Sequence, residues 1–463
     1  MARPSGSAVS RAAILLVAQI VVLAAGCALA PQIHFDATSA PRIPPLPAEA
    51  DDEELIGLAL SGGGSRAAVF SAAGMEALAE HGMLQRVDFV SSVSGGSMAA
   101  AYYAKKTAVD GESPEDQAFF ERFQQAMRYG FQGSVGARQF KKFRWFSPSR
   151  RATSFMEVLD EQFLEGVTLA AVRGLRPRLL INATAYDNGR RFVFTTLPHD
   201  EVAFDFERLQ GTGRGLAAHP AIRPMTFADE GILGGVPSEL PLSLAVAASA
   251  GVPLLIGPVS IQVDERYWHL GDGGLYDNTG IETLEQLFAQ LRGPGSPAGA
   301  DLILSFDSIS YADEEELSRD RKFGVSRHAE FIVDIPTARA EAYRDAAWRA
   351  IRVEQGDHGA ETIVMRHTEA DLDPTSLPDS CREVDGLCAE ERCRPAIRSH
   401  IRKMPTRLSI KVCDADLIEL AAHIVVHEAL GERFPRVRGC RFAAPVRPDL
   451  EEASRAGSVF PMK

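Results

Sequence analysis

Two apolar strand-like runs, each followed by a turn of small residues and then by a helix-like run, most strongly constrain the fold of this chain. The first unit has its strand at 55–60 and its helix at 67–79, and the second has its strand at 88–93 and its helix at 95–106. Strand and helix signals continue to alternate further along, with near-continuous apolar strands such as 302–306. This pattern predicts an α/β fold with a mainly parallel central sheet and helices on both faces.

The turn of the second unit places a serine between strand and helix, in Ser92-Val93-Ser94-Gly95-Gly96. Small neighbours let the backbone turn sharply and lift the hydroxyl of Ser94 out of the sheet, as in the nucleophile elbow of serine hydrolases. The match to Gly-x-Ser-x-Gly is incomplete because Ser92 replaces the first glycine. Ser94 is a candidate nucleophile, and the alternative is a turn that only connects the two elements.

The turn of the first unit contains three consecutive glycines, in Ser61-Gly62-Gly63-Gly64-Ser65. Such glycines at the positive end of a helix dipole let backbone N–H groups point into one concavity, which is an anion site. The anion could be a phosphate, or the oxyanion that forms when a serine attacks an ester. The glycine spacing matches neither the phosphate-loop nor the dinucleotide motif, which disfavours the phosphate. A tight turn without a ligand is the other interpretation.

A third glycine-rich segment, Gly-Asp-Gly-Gly at 271–274, follows a short strand-like run at 266–270. An aspartate between glycines often serves only as a turn residue. Here it can also bring a carboxylate close to Ser94, since no bulky neighbour blocks the approach. Asp272 is therefore a candidate catalytic base.

These three segments, in this order, resemble the patatin-like phospholipase family, and the resemblance covers about residues 55–308. That family has a glycine-rich oxyanion loop, a nucleophile elbow and an Asp-Gly-Gly/Ala motif. Residues 247–253 resemble its helix-ending Ala-Ser-x-x-x-Pro segment, and 180–184 resemble a strand before it. Ser92 and Ala67 stand where the family usually has glycine, and neither departure removes a catalytic group. The resemblance implies a three-layer fold.

The resemblance also implies a Ser-Asp dyad that hydrolyses acyl esters of lipids, of the phospholipase A or lysophospholipase type, through an acyl-enzyme. Ser94 would be the nucleophile and Asp272 the general base, with no cofactor and no metal. Arg66 would orient the loop or contact a substrate phosphate, unless it is an ordinary surface arginine. The oxyanion would be held by loop residues Gly62, Gly63, Gly64 and Ser65. Because a free aspartate has a pKa of about 4, the site has to bury Asp272 to make it a better base.

Two other interpretations stay open. One is a Ser-His-Asp triad, for which His269, His358 and His367 are the candidate histidines. Alternation along a strand would direct His269 away from Asp272, whereas the other two follow the order Ser, Asp, His of α/β-hydrolases. The second interpretation is a catalytically silent, membrane-anchored lipoprotein that keeps the fold as a scaffold or binding module.

Residues 1–26 are predicted to be a signal peptide. Arg3 and Arg11 form a basic start, 12–25 is apolar but short for a membrane span, and Cys27 follows small residues. The segment resembles a bacterial lipoprotein signal, although its leucine lies four residues before the cysteine instead of three. Lipidation of Cys27 would anchor the protein, and the next residue, which is not aspartate, favours the outer membrane. An ordinary signal-peptidase site is the alternative.

Proline-rich residues 27–50 are predicted to form a tether, 51–440 the catalytic domain and 441–463 a poorly ordered tail. Within the domain, residues 360–395 are charged and rich in turns, and we expect a surface excursion there. The last quarter of the chain holds five cysteines, Cys381, Cys388, Cys393, Cys413 and Cys440. An odd number allows at most two disulfides, which we favour over a metal site as staples of a loop.

The chain is acidic, with a formal net charge of −13 that becomes −15 when the two arginines of the signal are removed. This balance disfavours nucleic acid as a partner. Residues 138–151 are an exception, because they are basic and aromatic and lie in a stretch without acids from 122 to 156. They predict docking to an anionic membrane, or a solvated cap with its aromatic rings packed inward. The expected partners are thus a lipid substrate and a membrane.

Overall fold

The computed structural model describes the chain in several stretches that share one β-sheet. These are residues 33–35, 54–142, 147–173, 176–195, 237–253, 255–292, 301–309, 360–431 and 433–436, with a few short pieces between them. The signal peptide, Cys27, His358, Cys440 and the predicted tail lie outside the described residues.

The sheet is mixed and mostly parallel. Its strands are β1 (Ile33–Phe35), β2 (Ile56–Leu60), β3 (Phe89–Val93), β4 (Arg178–Ala185), β5 (Arg190–Thr195), β6 (Val259–Val263), β7 (Arg266–Asp272), β8 (Leu302–Asp307) and β9 (Glu361–Arg366). Their order is β1-β6-β7-β4-β3-β2-β8-β9, and β5 also pairs with β4. Strands β4, β3, β2, β8 and β9 are parallel neighbours, whereas β5 and β7 run antiparallel to β4. The predicted α/β class is confirmed.

Helices cover both faces of the sheet. They are α1 (Gly64–Glu80), α2 (Gly95–Ala104), α3 (Gln117–Met127), α4 (Phe131–Lys141), α5 (Pro148–Leu159), α6 (Leu242–Ser249), α7 (Ile281–Arg292), α8 (Arg394–Arg402) and α9 (Val412–Leu430). On one face, Leu58 and Leu60 of β2 join the core formed with α1, α2, α6 and α9. On the other, Ala59 packs with α7. Because successive side chains of a strand point to opposite faces, a strand buried on both sides reads as a continuous apolar run.

Two predicted segments contain strands of the sheet. Residues 33–35 lie inside the predicted tether, yet they form strand β1, which pairs in parallel with β6. Residues 361–366 lie inside the predicted surface excursion, yet they form β9, which extends the sheet beside β8. Each strand is short and lies at an edge of the sheet, within a longer segment that is proline-rich or charged, so the composition of the segment concealed the strand.

Disulfides close the C-terminal part of the domain. Cys381 pairs with Cys413 in the first turn of α9, and Cys388 pairs with Cys393. Two bridges are thus formed, in agreement with the preference for disulfides over a metal at these cysteines. None of the helices in the described residues combines the length and the apolar character that a membrane span requires.

Candidate active site

Ser94 lies at the sharp turn between β3 and α2. Its backbone has φ 50° and ψ −113°, a conformation that is strained for any residue other than glycine and that persists only when surrounding contacts hold it. One such contact is a hydrogen bond from the Ser94 N–H to Ser249 Oγ, at 2.9 Å. Ser249 Oγ in turn lies 2.9 Å from Ser97 Oγ. Ser249, the C-terminal residue of α6, therefore holds the backbone of the turn in place.

Ser92, which departs from the family pattern, is accommodated without loss of the turn. Its side chain is fully buried, and its hydroxyl accepts a hydrogen bond from Ser97 Oγ at 3.1 Å. Its carbonyl accepts from Asn182 Nδ2 at 3.0 Å. The extra hydroxyl is thus satisfied inside the core, which removes the usual cost of burying a polar group.

Asp272 ends β7 at the same level of the sheet as Ser94. In the ladder, Val93 of β3 is aligned with Asn182 of β4, and Asp272 is aligned with Ala183, the next residue of β4. Ser94 follows Val93, so Ser94 and Asp272 flank β4 from opposite sides. The ends of two separate strands thus bring a hydroxyl and a carboxyl to the same level of the sheet, one on each side of β4.

The surroundings of Asp272 disfavour its charged form. The residue is only 6% exposed, and burial raises the pKa of its carboxyl to about 7, although a hydrogen bond from the Gly274 N–H opposes this shift. That N–H donates to Oδ1 at 2.8 Å, and Thr184 Oγ1 donates to the Asp272 carbonyl at 2.7 Å. The Ser94 hydroxyl makes no hydrogen bond to the Asp272 carboxyl within the described part of the chain. Such bonds often form only with substrate bound.

The glycine loop lies directly beside Ser94. A Cβ added at Gly95 would fall 2.0 Å from the carbonyl oxygen of Gly64, and one added at Gly62 would fall 3.5 Å from Ser94 Cβ. Gly64 has φ +61°, and a side chain there would meet the Arg407 carbonyl at 2.2 Å. The loop therefore requires glycine both for its backbone conformation and for close packing.

The backbone N–H groups of the loop are not equivalent. The N–H of Gly62 donates to the Asn278 carbonyl at 2.8 Å, and that of Ser65 donates to the Arg407 carbonyl at 2.7 Å. Among the described residues, the N–H groups of Gly63 and Gly64 have no such acceptor. The predicted set of four oxyanion donors therefore narrows to these two, which stand at the N-terminus of α1, the positive end of its dipole.

Arg66 is buried in the first turn of α1, so the surface-arginine alternative is wrong. Its Nη2 donates to the Ser308 carbonyl at 2.7 Å, and its Nη1 donates to the Met404 carbonyl. These bonds tie the glycine loop to the end of β8 and to the segment before α9. Arg66 and Arg407 also line a cavity of about 500 Å³, which neither Ser94 nor Asp272 lines. Contact between Arg66 and a substrate phosphate stays a prediction.

Asn278 lies within the candidate site, although no sequence motif indicated a role for it. A Cβ added at Gly62 would lie 2.1 Å from its Oδ1, and one added at Gly274 would lie 2.6 Å from the same atom. The Asn278 side chain thus fills the space between the glycine loop and the Asp272 turn. The only signal in the sequence was its place four residues after Gly274.

The candidate triad histidines are engaged elsewhere. His269 Nδ1 lies 2.8 Å from Asp187 Oδ1, and His367 is fully buried against Phe70. Burial, with the nearby charge of Arg66, lowers the pKa of His367 to about 3. Within the described residues, no histidine hydrogen-bonds to Ser94, and His358 lies outside them.

The basic segment at 138–151 is partly neutralised. Three of its cations form ion pairs with acids in the last turn of α5 or just after it: Arg138, Lys142 and Arg144 pair with Glu157, and Arg138 also pairs with Glu161. These acids follow the segment in sequence, but the packing of α4 against α5 brings them back to it. Phe140 is 78% exposed, so for this ring the inward-packed alternative is wrong.

Residues 58–284 match the family model described as patatin-like phospholipase. The chain therefore contains a patatin-like phospholipase domain, as its sequence motifs predicted. A search of curated proteins finds no significant match.

Among solved structures, one similar chain is human GIVD cytosolic phospholipase A2, with a TM-score of 0.41, 12% identity, and 82% of this chain and 61% of that chain covered. Its complex with methyl gamma-linolenyl fluorophosphonate has a TM-score of 0.43 and 15% identity, with 83% of this chain and 59% of that chain covered. VipD from Legionella pneumophila has a TM-score of 0.24 and 14% identity, with 58% of this chain and 52% of that chain covered. The chain thus spans about three fifths of the length of the human structures.

Proposed function

We propose that the protein is a serine hydrolase that cleaves acyl esters of lipids, of the phospholipase A or lysophospholipase type, through a Ser-Asp dyad. The observation that carries the proposal is the pairing of a strained serine elbow at Ser94 with the buried carboxyl of Asp272, at the same level of the sheet on either side of β4. Burial raises the pKa of Asp272 to about 7. A carboxylate with that pKa is matched to proton transfer near neutral pH.

The reaction follows from these positions. Ser94 Oγ attacks the ester carbonyl carbon while its proton passes to the Asp272 carboxylate. The tetrahedral intermediate collapses, the bond to the alcohol oxygen breaks, and the departing alcohol takes the proton from Asp272. Water then attacks the acyl-serine and gives a proton to Asp272, which returns it to Ser94 Oγ as the fatty acid leaves.

The oxyanion of each tetrahedral intermediate is assigned to the N–H groups of Gly63 and Gly64. Both lack an acceptor among the described residues and stand beside Ser94. Removing one such donor typically raises the barrier by about 3 to 4 kcal/mol. Asn278 and Arg66 support these donors by fixing the two ends of the loop, and neither has to touch the reacting atoms.

A fluorophosphonate probe tests the proposal directly, because it labels an activated serine covalently. We expect stoichiometric labelling of the wild-type protein, none for Ser94→Ala, and wild-type labelling for the control Ser113→Ala, which changes an exposed serine. Fatty acid release from phospholipid vesicles should follow the same pattern. A folded wild-type protein that is not labelled would instead support the silent lipoprotein interpretation.

The proposed location is the outer membrane, with an acylated Cys27 as the anchor. Support comes from the signal-like sequence before Cys27. Mass spectrometry of the N-terminal peptide should find acyl chains on Cys27, and Cys27→Ser should release the protein from the membrane fraction. An unmodified N-terminus at another position would contradict lipidation and favour ordinary cleavage.

A second membrane contact is proposed at Phe140 and Lys141, two exposed residues of the basic segment. Vesicles containing anionic lipid should bind wild-type protein that lacks its lipid anchor more strongly than Phe140→Ser/Lys141→Glu. Arg144→Gln serves as a control, since Arg144 pairs with Glu157. Equal binding by all three proteins would exclude this contact.

A further inference from the structure

Histidine and glutamate side chains cluster where the C-terminal end of α1 packs against α9. Ligand atoms of Glu80, His423 and His427 lie within 4.8 Å of one another. His423 and His427 are four residues apart on α9, so both face α1. Their side chains are 13% and 11% exposed, and that of Glu80 is 21% exposed. The cluster lies at the opposite end of α1 from the glycine loop, about 25 Å away at 1.5 Å per residue.

Hydrogen bonds around the cluster determine which nitrogen of His427 carries the lone pair. His81 Nδ1 contacts the Phe434 carbonyl, which can only accept, so Nδ1 carries the proton of the neutral His81 ring. His81 Nε2 is then an acceptor, and His427 Nδ1, 2.8 Å away, donates to it. The lone pair of His427 therefore falls on Nε2, which lies 3.1 Å from Glu80 Oε2.

His427 Nε2 and Glu80 Oε2 therefore face each other as two ligand atoms that one metal ion can bridge. The spacing of 3.1 Å between His427 Nε2 and Glu80 Oε2 is close to the edge of a zinc tetrahedron, about 3.3 Å for bonds of about 2.0 to 2.1 Å. The three ligand atoms, within 4.8 Å of one another, need to move by only about 1 Å each to reach that geometry.

We propose that Glu80, His423 and His427 bind a zinc ion, with solvent as the fourth ligand. Two imidazoles and one carboxylate are a donor set that suits Zn²⁺ and disfavours Mg²⁺ and Ca²⁺, which prefer oxygen ligands. The bonded partners around the ligands fit the arrangement that usually orients metal-binding histidines. His81 Nε2 is hydrogen-bonded to His427 Nδ1, and Glu76 Oε2 lies 3.4 Å from His423 Nε2.

The proposed ion joins helices that are far apart in sequence but in extensive contact. Glu80 is the last residue of α1, and His427 is in the last turns of α9. Binding is therefore expected to stabilise the pairing of α1 with α9, because a ligand that binds only the folded state raises the midpoint of unfolding. None of the proposed ligands belongs to the candidate active site, so metal binding and hydrolysis can be tested separately.

The test is a titration of the tag-free full chain with Zn²⁺ by calorimetry near neutral pH. We expect one Zn²⁺ per chain, no comparable binding of Mg²⁺ or Ca²⁺, and a rise in Tm that a chelator reverses. Co²⁺ in place of Zn²⁺ should give the visible absorption of a tetrahedral site, which reports the geometry without any mutation. Failure of the wild-type protein to bind Zn²⁺ stoichiometrically would overturn the proposal.

Substitutions distinguish the proposed zinc ligands from the residues that only hydrogen-bond to them. His423→Gln/His427→Gln should abolish stoichiometric binding, and His81→Phe, which keeps every ligand, should weaken it about 10- to 100-fold. The control is His400→Gln, which removes a histidine paired with Asp414 beside the disulfide-bonded Cys413. Unchanged binding in the double variant, or an equal loss in the control, would contradict the assigned ligands.

Discussion

At the scale of single residues, Asp272 shows how the candidate site gains a base at the expense of stability. The sequence identifies this residue by its glycine neighbours, but its burial depends on β4, β7 and the ring of Tyr186, which lies against Gly271. Only the folded chain brings these together. Burial that raises the pKa of the carboxyl to about 7 also means that the ionised form is disfavoured in the folded state.

We predict that Asp272→Asn abolishes turnover and stabilises the protein above neutral pH. The folded carboxyl keeps its proton up to a pH of about 7, whereas the unfolded one loses it near pH 4. Between these values the folded state holds more protons, so the stability of the wild type falls as the pH rises. The variant lacks this loss. The difference should reach several kcal/mol above pH 7, at about 1.4 kcal/mol per pKa unit.

Urea unfolding at a series of pH values measures this difference, and wild-type activity should rise through about pH 7 as Asp272 ionises. Asp187→Asn is the matched control, since Asp187 is a half-exposed carboxylate paired with His269. It should show no comparable gain at high pH. A pH-independent difference between wild type and Asp272→Asn would contradict the raised pKa.

Arg66→Lys tests whether this residue holds the loop or binds a substrate phosphate. A lysine has a single nitrogen and cannot reproduce the forked bonds that Arg66 makes to the Ser308 and Met404 carbonyls. We expect a loss of about 2 to 3 kcal/mol in the free energy of unfolding, in the range for hydrogen bonds from a charged group. Hydrolysis of a phospholipid and of a neutral ester should fall together. A higher KM for the phospholipid alone, at unchanged stability, would instead indicate phosphate contact.

At the scale of secondary-structure elements, the three motifs were predictable because each is a strand that ends in glycines. That pattern places Ser94, the glycine loop and Asp272 at the C-terminal ends of β3, β2 and β7, respectively. Their supports were less predictable, because they depend on neighbours in space. The Asn278 side chain packs between the turns at Gly62 and Gly274, and Ser249 of α6 accepts a hydrogen bond from the Ser94 N–H. Nothing in the local sequence of either residue marks that contact.

Ser249→Ala is predicted to loosen the elbow. It leaves the buried N–H of Ser94 without its acceptor, which typically costs about 1 to 3 kcal/mol. Because the lost bond holds the strained turn, the rate of fluorophosphonate labelling should fall as well. Ser243→Ala, on the same helix, is the control, since it removes a comparable bond to Asp160 Oδ2 at 2.9 Å. Both variants should be destabilised, but a slowed labelling rate in both would rule out a specific role for Ser249.

At the scale of the whole molecule, the sequence predicted the centre better than the edges. Both faces of β2 and β8 are buried, so their apolar runs are unambiguous. The edge strands β1 and β9 lie in segments whose composition indicated a tether and an excursion. The histidine cluster was also missed, because its ligands come from helices more than 300 residues apart. The spacing of His423 and His427 within the predicted helix was the one available signal.

The two disulfides are predicted to contribute unequally to stability. Cys381–Cys413 closes a loop with a separation of 32 residues, and Cys388–Cys393 one of 5. Loop-closure entropy gives about 4 and about 2 kcal/mol, respectively. Denaturant unfolding of the two double Cys→Ser variants measures the difference. An equal loss, or a larger loss for the short loop, would show that strain or residual structure outweighs loop length.

The last quarter of the chain completes a site that begins near its start. The Arg407 carbonyl accepts a hydrogen bond from the Ser65 N–H, and the Arg66 side chain donates to the Thr406 hydroxyl, 340 residues further along the chain. A ribosome makes Ser94 early and these partners late. A growing chain therefore carries its serine long before the glycine loop has its far support. The proposed hydrolysis of lipids therefore has to wait until residues 404–407 have been made and have folded against the loop.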